Sequence, residues 1–380
     1  MKICLAAAYD VTSPDTWSGT PYSLYKKLCE TDNDITPLNL LDHYSDFKRR
    51  YYMLKYMDPL RTIKEKGYAS KIKYARKIPL NSDILHKQCK RKDFDVLIEF
   101  SGYLPGKDLP PYYIYSDCSH DLSLDFLKQE GHLPFGYKES DLDDVKKAAD
   151  FSRQVYENAS GVFCMSRWMA DSMINTSGID KNKVHIVYAG ANFHDVLPKE
   201  TSDPREIDTD AKEFDLLLTG KNYIEKGVDL AVSAVELLNR ECDKKYRLHV
   251  CGIKEDFKHD KNVINHGFVD KETLSVLLNK CSLFVLPSRF DCFGISFIEA
   301  MSYGLPCIGR NICAMPEIID EDKNGELIGS DDPTELAEKI VKILSDGDRY
   351  KSYSENAEKK SKLFSWDKTV NSMLDVISGR

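Results

Sequence analysis

The sequence lacks the features that would place it inside a membrane or around a metal. No apolar run approaches the roughly 20 residues that cross a bilayer, and the apolar start before Asp10 is too short for a secretory signal. The eleven cysteines are odd in number and free of C-x-x-C spacing, which indicates unpaired thiols in a reducing compartment. No H-E-x-x-H or Walker pattern occurs. These absences favour a cytoplasmic protein without a metal site.

The length and the order of patterns predict two α/β domains. The chain has 380 residues, of which 42% are hydrophobic and 30% are charged, as in globular proteins. Short buried-strand patterns alternate with amphipathic helices along the whole chain. A polar, proline-broken stretch at 197–213 indicates an interdomain linker. We therefore expect domains at 1–198 and 199–363, with a last helical segment at 364–380.

Residues 283–319 hold the most informative pattern. An apolar run closed by Pro287 predicts a buried strand, and a loop then leads through Gly294 into a helix that stops near Gly304. Asp291 lies in the loop and Glu299 lies in the helix, about 7 Å along the axis from Gly294 at 1.5 Å per residue. A ligand with an anionic middle could place its phosphates at the helix N-terminus and its hydroxyl groups at the two carboxylates. A solvated helical stripe explains the same spacing.

The residues around this pair, PSRFDCFGISFIEAMSYGLP followed by Met315-Pro316-Glu317, resemble the signature of family-4 retaining glycosyltransferases. The resemblance implies the GT-B fold: two Rossmann-like domains facing a cleft, with a C-terminal helix crossing back to the first domain. It also implies that Glu299 holds the ribose and Asp291 the donor sugar. The family usually has glutamate at the position of Asp291, so this carboxylate reaches less far.

Several further residues become candidates for binding the donor through the resemblance. Gly220-Lys221-x4-Lys226-Gly227 has the spacing of the family pattern G-R-x4-K-G, with Lys221 where arginine is usual. Lys221 and Lys226 would stabilise the diphosphate together with Asp291 and Glu299 as the catalytic set. The remaining candidates for donor contact are Gly19, Gly267, Phe268, Val269, Phe293, Gly294 and Ile295.

A polar cluster after the predicted strand at 112–115 supplies candidates for the acceptor side. Asp117 and His120 follow that strand, and ligands of open α/β sheets gather beyond the carboxyl ends of strands. A helix-capping loop is the alternative reading of the same cluster, because Ser119 and Asp121 are good cap residues.

The segment 48–92 is strongly basic. It carries fifteen Lys and Arg residues against three acids, while the whole chain has a formal net charge of −8. Tyrosine, methionine and leucine are interleaved with the charges, a mixture typical of the interface of an anionic membrane. A solvated insertion is the alternative, and no nucleic-acid motif accompanies the charge.

Together with these patterns, the resemblance implies a retaining glycosyltransferase that transfers a sugar to an acceptor hydroxyl, with no cofactor beyond a nucleotide-sugar donor. A UDP- or GDP-sugar is the expected donor. A lipid-linked or cell-envelope glycan is the expected acceptor, and the enzyme would then be cytoplasmic or peripheral at the cytoplasmic membrane face. Two alternatives remain: a GT-B nucleotide-sugar epimerase, and a catalytically weak protein that binds membrane or glycan.

Overall fold

The computed structural model describes residues 1–40, 74–100, 102–103, 106, 108–192, 203–254 and 261–379, with backbone alone at 74–80. Residues 48–73 of the basic segment lie outside the described residues. The chain divides into two compact units, Met1–Tyr188 with Val370–Arg380, and Ala189–Thr369. The linker expected at 197–213 is described only from residue 203 onward, and residues 203–212 lie in no helix or strand.

The first unit contains a parallel sheet of six strands. Its strands are β1 (Lys2–Ala7), β2 (Asp34–Asn39), β3 (Val96–Glu99), β4 (Tyr112–Ser116), β5 (Gly161–Cys164) and β6 (Val184–Ile186). The order across the sheet is β2-β1-β3-β4-β5-β6. The central strands are apolar and buried along nearly their whole length, as strands covered by helices on both faces must be.

In the described part of this unit, the helices beside the sheet are α1 (Thr20–Cys29), α2 (Tyr74–Cys89), α3 (His120–Glu130), α4 (Leu142–Asn158) and α5 (Arg167–Asn175). Serine side chains begin two of them, because Ser119 Oγ accepts from Leu122 N and Ser166 Oγ accepts from Met169 N. Ser119 therefore caps a helix, as the alternative interpretation of the cluster after β4 predicts.

The second unit repeats the architecture. Its strands are β7 (Glu213–Thr219), β8 (Lys245–Cys251), β9 (Val263–Gly267), β10 (Leu283–Val285), β11 (Cys307–Arg310) and β12 (Gly325–Ile328), in the parallel order β12-β11-β10-β7-β8-β9. Its helices are α6 (Val228–Glu241), α7 (Lys271–Lys280), α8 (Ile295–Ser302), α9 (Met315–Ile318), α10 (Pro333–Leu344) and α11 (Gly347–Ser361). The last helix, α12 (Trp366–Ser378), contains the boundary between the units.

The strand order determines where a ligand can enter each sheet. In the second unit the chain proceeds from β7 to β9 on one side and then returns to place β10 against the other side of β7. Leu216 pairs with Leu283 and Leu217 pairs with Phe284 across this junction, all four being buried. The strands that follow β7 and those that follow β10 are therefore added on opposite sides of the sheet, and such a switch point is the usual ligand crevice of open α/β sheets.

The two parallel sheets confirm the α/β class. Helix α1 begins at Thr20, and Pro21 is well suited to its first turn. Among the described residues, no helix combines the length and the apolarity that crossing a bilayer requires.

Candidate functional site

Lys226 and Asp291 form the centre of the candidate site in the second unit. Lys226 lies in the loop after β7 and Asp291 in the loop after β10, and their Nζ and Oδ2 atoms are 2.6 Å apart. Both side chains are largely buried, at 24% and 16% exposure. Burial acts to lower the pKa of Lys226, but the charge of Asp291 outweighs it and the pKa is raised. The site therefore holds a fixed ammonium group whose counter-ion comes from the protein.

Gly294 connects this pair to a helix N-terminus. Its N–H donates to Asp291 Oδ1 at 3.0 Å, and its φ of +75° turns the chain into α8. A Cβ at this position would lie 2.7 Å from Met315 Cε, so only glycine fits without displacing that side chain. No described side chain caps α8, which leaves the positive end of its dipole next to Asp291 and Lys226.

Glycine also allows the β7 loop to approach the β10 loop. Gly227 has a φ of +65°, and a Cβ there would lie 2.3 Å from the carbonyl oxygen of Pro287. Gly220 packs against the aliphatic part of Lys226, where a Cβ would lie 2.7 Å from Cγ. The two glycines of the sequence pattern thus bring the backbone of one loop against the other and direct Lys226 toward Asp291.

Arg289 fastens the same two loops together, and the sequence reasoning missed it. Its guanidinium donates two hydrogen bonds to the carboxylate of Asp229, at 2.8 Å each, and another to the carbonyl oxygen of Ile224 at 2.6 Å. A further bond reaches Asp331 Oδ2 at 2.9 Å, and Arg289 N donates to the carbonyl oxygen of Glu225 at 2.8 Å. Its position inside the motif PSRFD was the available signal, although its partners lie far away in sequence.

Glu299 is the fifth residue after Gly294. It lies in α8, and its side chain is half-buried. Its Oε1 accepts from the backbone N–H of Asn192 at 3.2 Å. Lys271, which sequence reasoning also missed, donates to the carbonyl oxygen of that same Asn192. Desolvation raises the pKa of Glu299 to about 7, opposed by the charge of Lys271 and the bond from Asn192. This carboxyl group therefore changes charge near neutral pH.

The other donor-side candidates of the second unit occupy different surroundings. Lys221 is exposed and makes no ion pair with the described residues, so the structure does not bring it into the Lys226–Asp291 pair. Phe293 is buried, with its ring centroid 6.0 Å from that of Phe364, and therefore serves packing with its side chain. Ile295 is half-buried at the start of α8.

The candidates after β9 form an exposed turn. The carbonyl oxygen of Gly267 accepts from Gly252 N at 2.6 Å, which joins the turns after β8 and β9. Phe268 is 58% exposed, and Lys254 Nζ lies 5.6 Å from its ring centroid. Val269 is half-buried beside it.

In the first unit, the candidates lie beyond the carboxyl ends of β1 and β4. Gly19 has a φ of +84° and precedes α1, after two other residues with positive φ, Trp17 and Ser18. Asp117 is half-buried in the turn before α3. His120 begins α3, and its Nδ1 lies 3.0 Å from Ser152 Oγ. His120, unlike Asp117, lines a cavity of about 220 Å³.

No group of three or more His, Cys, Asp or Glu side chains in the described part of the chain has the arrangement of a metal site.

Comparison with known proteins supports the interpretation of the second unit. Residues 199–360 match the family model of Glycosyl transferases group 1. An uncharacterized glycosyltransferase of Methanocaldococcus jannaschii is 25% identical over 59% of this chain and 61% of its own length. A D-inositol 3-phosphate glycosyltransferase of Xylanimonas cellulosilytica is 23% identical over 59% of this chain and 58% of its own length. The chain thus spans less than two thirds of the length of these curated relatives.

Solved structures match the chain over its whole length. A sucrose-phosphate synthase from Thermosynechococcus elongatus has a TM-score of 0.73 at 14% identity and covers 100% of this chain and 99% of its own. A protein from Anabaena, solved in complex with UDP and glucose, has a TM-score of 0.64 at 13% identity and full coverage of both chains. The expected fold class is confirmed: two parallel-sheet Rossmann-like units of the GT-B type.

Proposed function

We propose that the chain is a glycosyltransferase that transfers a sugar from a UDP- or GDP-sugar to an acceptor hydroxyl, with retention at the anomeric carbon and without a metal. The observation that carries the proposal is the cluster of Lys226, Asp291 and the N-terminus of α8 beside Gly294 at the switch point between β7 and β10. A diphosphate is the ligand that suits a fixed ammonium next to a helix N-terminus. The matched family and the glycosyltransferase relatives support the same reaction class.

In the proposed reaction, the bond between the anomeric carbon and the diphosphate oxygen breaks, and the electron pair leaves with the diphosphate. The acceptor oxygen bonds to the same face of the anomeric carbon, and its proton passes to the leaving diphosphate. Lys226 stabilises the developing negative charge, assisted by the α8 dipole and by the exposed Lys221. Departure of the diphosphate requires positive charge that is in place before the reaction begins. In the proposal Lys226 and the α8 dipole supply that charge, so no metal is needed.

The two carboxylates take different parts in the proposal. Glu299 holds the ribose hydroxyl groups, because a half-buried carboxyl next to the helix can accept from both. Asp291 already binds Lys226 with Oδ2 and Gly294 N with Oδ1. It contacts the donor sugar through its remaining lone pairs, and it also keeps Lys226 in place. The shorter aspartate suits this second task, since its carboxylate reaches only as far as Lys226 on the neighbouring loop.

The proposed acceptor and membrane partner follow from the charge of the basic segment. We retain an anionic membrane surface as the partner of residues 48–92 and a lipid-linked or cell-envelope glycan as the acceptor. Among the described lysines of that segment, Lys87 pairs with Asp83 and Lys90 with Asp108. Both lysines stay exposed in these pairs, so they remain accessible for membrane contact. Co-sedimentation with anionic liposomes at low and high salt tests it, and no binding at either salt leaves the solvated insertion.

Thermal stability in the presence of nucleotides tests the proposed donor site. UDP, GDP, ADP and CMP, with their common sugar conjugates, should be screened because a ligand that binds the folded state raises the melting temperature. We expect a selective shift with one nucleoside diphosphate that is lost in Lys226→Ala and kept in Lys323→Ala, an exposed lysine of the same unit. No shift with any member of the panel would contradict the proposal.

A further inference from the structure

A cavity in the first unit has a lining unlike that of the donor site. It has a volume of about 220 Å³ and lies beyond the carboxyl ends of β3 and β4, against α3 and α4. This is below the roughly 300–1,000 Å³ typical of sites for drug-sized ligands, so it suits a single ring of a larger molecule. All its lining residues belong to the first unit, so the cavity can be considered independently of the second.

Aromatic rings form much of the wall. Phe100 and Tyr156 are buried, and Tyr137 is half-buried. Phe135 is 51% exposed, and its ring lies edge-on to that of Tyr137 with centroids 6.5 Å apart. An exposed aromatic ring at the wall of a cavity offers a flat apolar face to the C–H groups of a ligand.

The backbone at Phe135 is unusual in a way that points to the cavity. Its φ is +60°, followed by a φ of +63° at Gly136. A bulky residue in the left-handed region costs on the order of 1 kcal/mol or more, and such strain is concentrated at functional sites. Phe135 combines this strained backbone with a half-exposed ring at the cavity wall.

The described wall of the cavity also carries no charged side chain. None of the described residues that line it is Lys, Arg, Asp or Glu. Burial lowers the pKa of His120 to about 4, against the opposing charge of Asp121, so its imidazole is neutral at pH 7. Asp121 itself binds Arg153 Nε at 3.0 Å and Ser177 Oγ at 2.6 Å, which balances its charge away from the cavity wall. No described lining residue carries a positive charge that would offset that of a phosphate.

Hydroxyl groups and the imidazole provide the polar part of the wall. Ser116 Oγ donates to the carbonyl oxygen of Cys118 at 2.8 Å, and Ser123 Oγ donates to that of Ser119 at 3.4 Å. Each oxygen keeps acceptor capacity for a hydroxyl group. Nδ1 of the neutral His120 imidazole already bonds Ser152 Oγ, so a ligand would bond Nε2. Apolar faces together with neutral hydrogen-bonding groups match a pyranose ring, which has C–H groups on its faces and hydroxyl groups at its edge.

We infer that this cavity binds an uncharged sugar ring of the acceptor, stacked against Phe135 and hydrogen-bonded by His120 and the serine hydroxyl groups. The inference rests on the proposed function, because it takes the first unit to be the acceptor side of a glycosyltransferase. It separates this chain from enzymes whose acceptor is a phosphorylated ring, since a phosphate in this cavity would meet no cation among the described lining residues.

Saturation-transfer NMR on the full chain tests the inference without requiring the natural acceptor. Protein aromatic protons are saturated, and transfer to ligand protons is measured with the methyl α-glycosides of glucose, galactose and mannose as neutral probes. Glucose 6-phosphate and inositol 1-phosphate are the anionic probes. We expect transfer to the ring protons of at least one neutral probe and little to either phosphate.

Variants at Phe135 connect the signal to the cavity. Phe135→Leu removes the aromatic face and should reduce transfer at least about fivefold, whereas Phe135→Tyr keeps the ring and should retain it. Both change an exposed side chain, so the fold should be preserved. Val276→Ala, at an equally exposed apolar residue of the second unit, is the matched control.

The possible outcomes distinguish this inference from the proposed function. Absence of transfer to every neutral probe, equal transfer to the phosphates, or an unchanged signal in Phe135→Leu would each overturn the inference, even if a nucleoside diphosphate binds through Lys226. Conversely, saturation transfer that depends on the aromatic ring of residue 135, without any nucleotide binding, would support the sugar site and contradict the proposed reaction.

Discussion

Lys226 and Asp291 meet at 2.6 Å although 65 residues separate them in the chain. They meet because β7 and β10 are parallel neighbours in the sheet, so the loops after these two strands leave the same edge at the switch point. The pair is mostly buried, so its charges interact in a medium that screens less than water does. A ligand diphosphate can therefore share the ammonium group of Lys226 with Asp291 at this junction.

Lys226→Ala should lower kcat/KM at least about tenfold, because the leaving diphosphate loses its fixed cation. The same change leaves Asp291 partly buried without its partner, so the urea midpoint of unfolding should also fall. Steady-state kinetics and urea titration measure the two effects. Lys323→Ala is the control, and unchanged kinetics in a folded Lys226→Ala variant would remove this lysine from the mechanism.

Arg289→Lys should weaken the site without removing a charge. Lysine cannot reproduce the paired bonds to Asp229 together with those to Ile224 and Asp331, so the loop that carries Lys226 loses its anchor. We expect the KM for the nucleotide sugar to rise more than kcat falls, since Arg289 positions the binding loop. Arg240→Lys, at an exposed arginine of α6, should change neither value. An equal fall in kcat with constant KM would indicate a direct role in the reaction.

The sequence predicted the apolar strands and the loops that follow them, because both are local patterns. The run before Pro287 and the spacing of Lys226, Asp291 and Glu299 are visible in the sequence itself. Strand β2 was missed, since Asp34–Asn39 contains a proline and pairs with β1 alone. Such an edge strand has a weak sequence signal.

What depended on distant contacts could not be predicted. The partners of Arg289 and the bond between Glu299 and Asn192 join residues far apart in sequence. The cavity of the first unit is formed by side chains from several elements, and only His120 was anticipated there. The roles assigned to Lys221, Gly19 and Asp117 remain predictions.

Glu299→Gln should change how both stability and binding depend on pH. The folded-state pKa of Glu299 is raised to about 7, above its ordinary value, so the folded protein retains a proton that the unfolded chain releases. This group therefore contributes a decline in stability as pH rises from its ordinary pKa to about 7. The decline should be reduced in Glu299→Gln, which cannot titrate.

The same titration should appear in nucleotide binding. Affinity for the nucleoside diphosphate should fall as pH drops through about 7, because a protonated Glu299 accepts fewer hydrogen bonds from ribose. Glu299→Gln should bind at least about tenfold more weakly at pH 8 and should lose this pH dependence. Calorimetric titration over pH 6 to 8 measures it, with the exposed Glu338→Gln as control. If nucleotide affinity depends on pH in the same way in Glu299→Gln and in Glu338→Gln, Glu299 is not the titrating group.

Gly294→Ala tests the turn that places the helix N-terminus, and the chain offers a matched control. Gly294 and Gly131 share a φ of +75°, but an added Cβ meets Met315 Cε at 2.7 Å in the first case and nothing within 4 Å in the second. Gly131→Ala should therefore show only the backbone cost, about 1 kcal/mol. Gly294→Ala should lose more stability and also weaken nucleotide binding, because Met315 must move and the N–H of residue 294 shifts from Asp291. Equal losses of stability with unchanged binding would show that the close packing at Gly294 does not position the site.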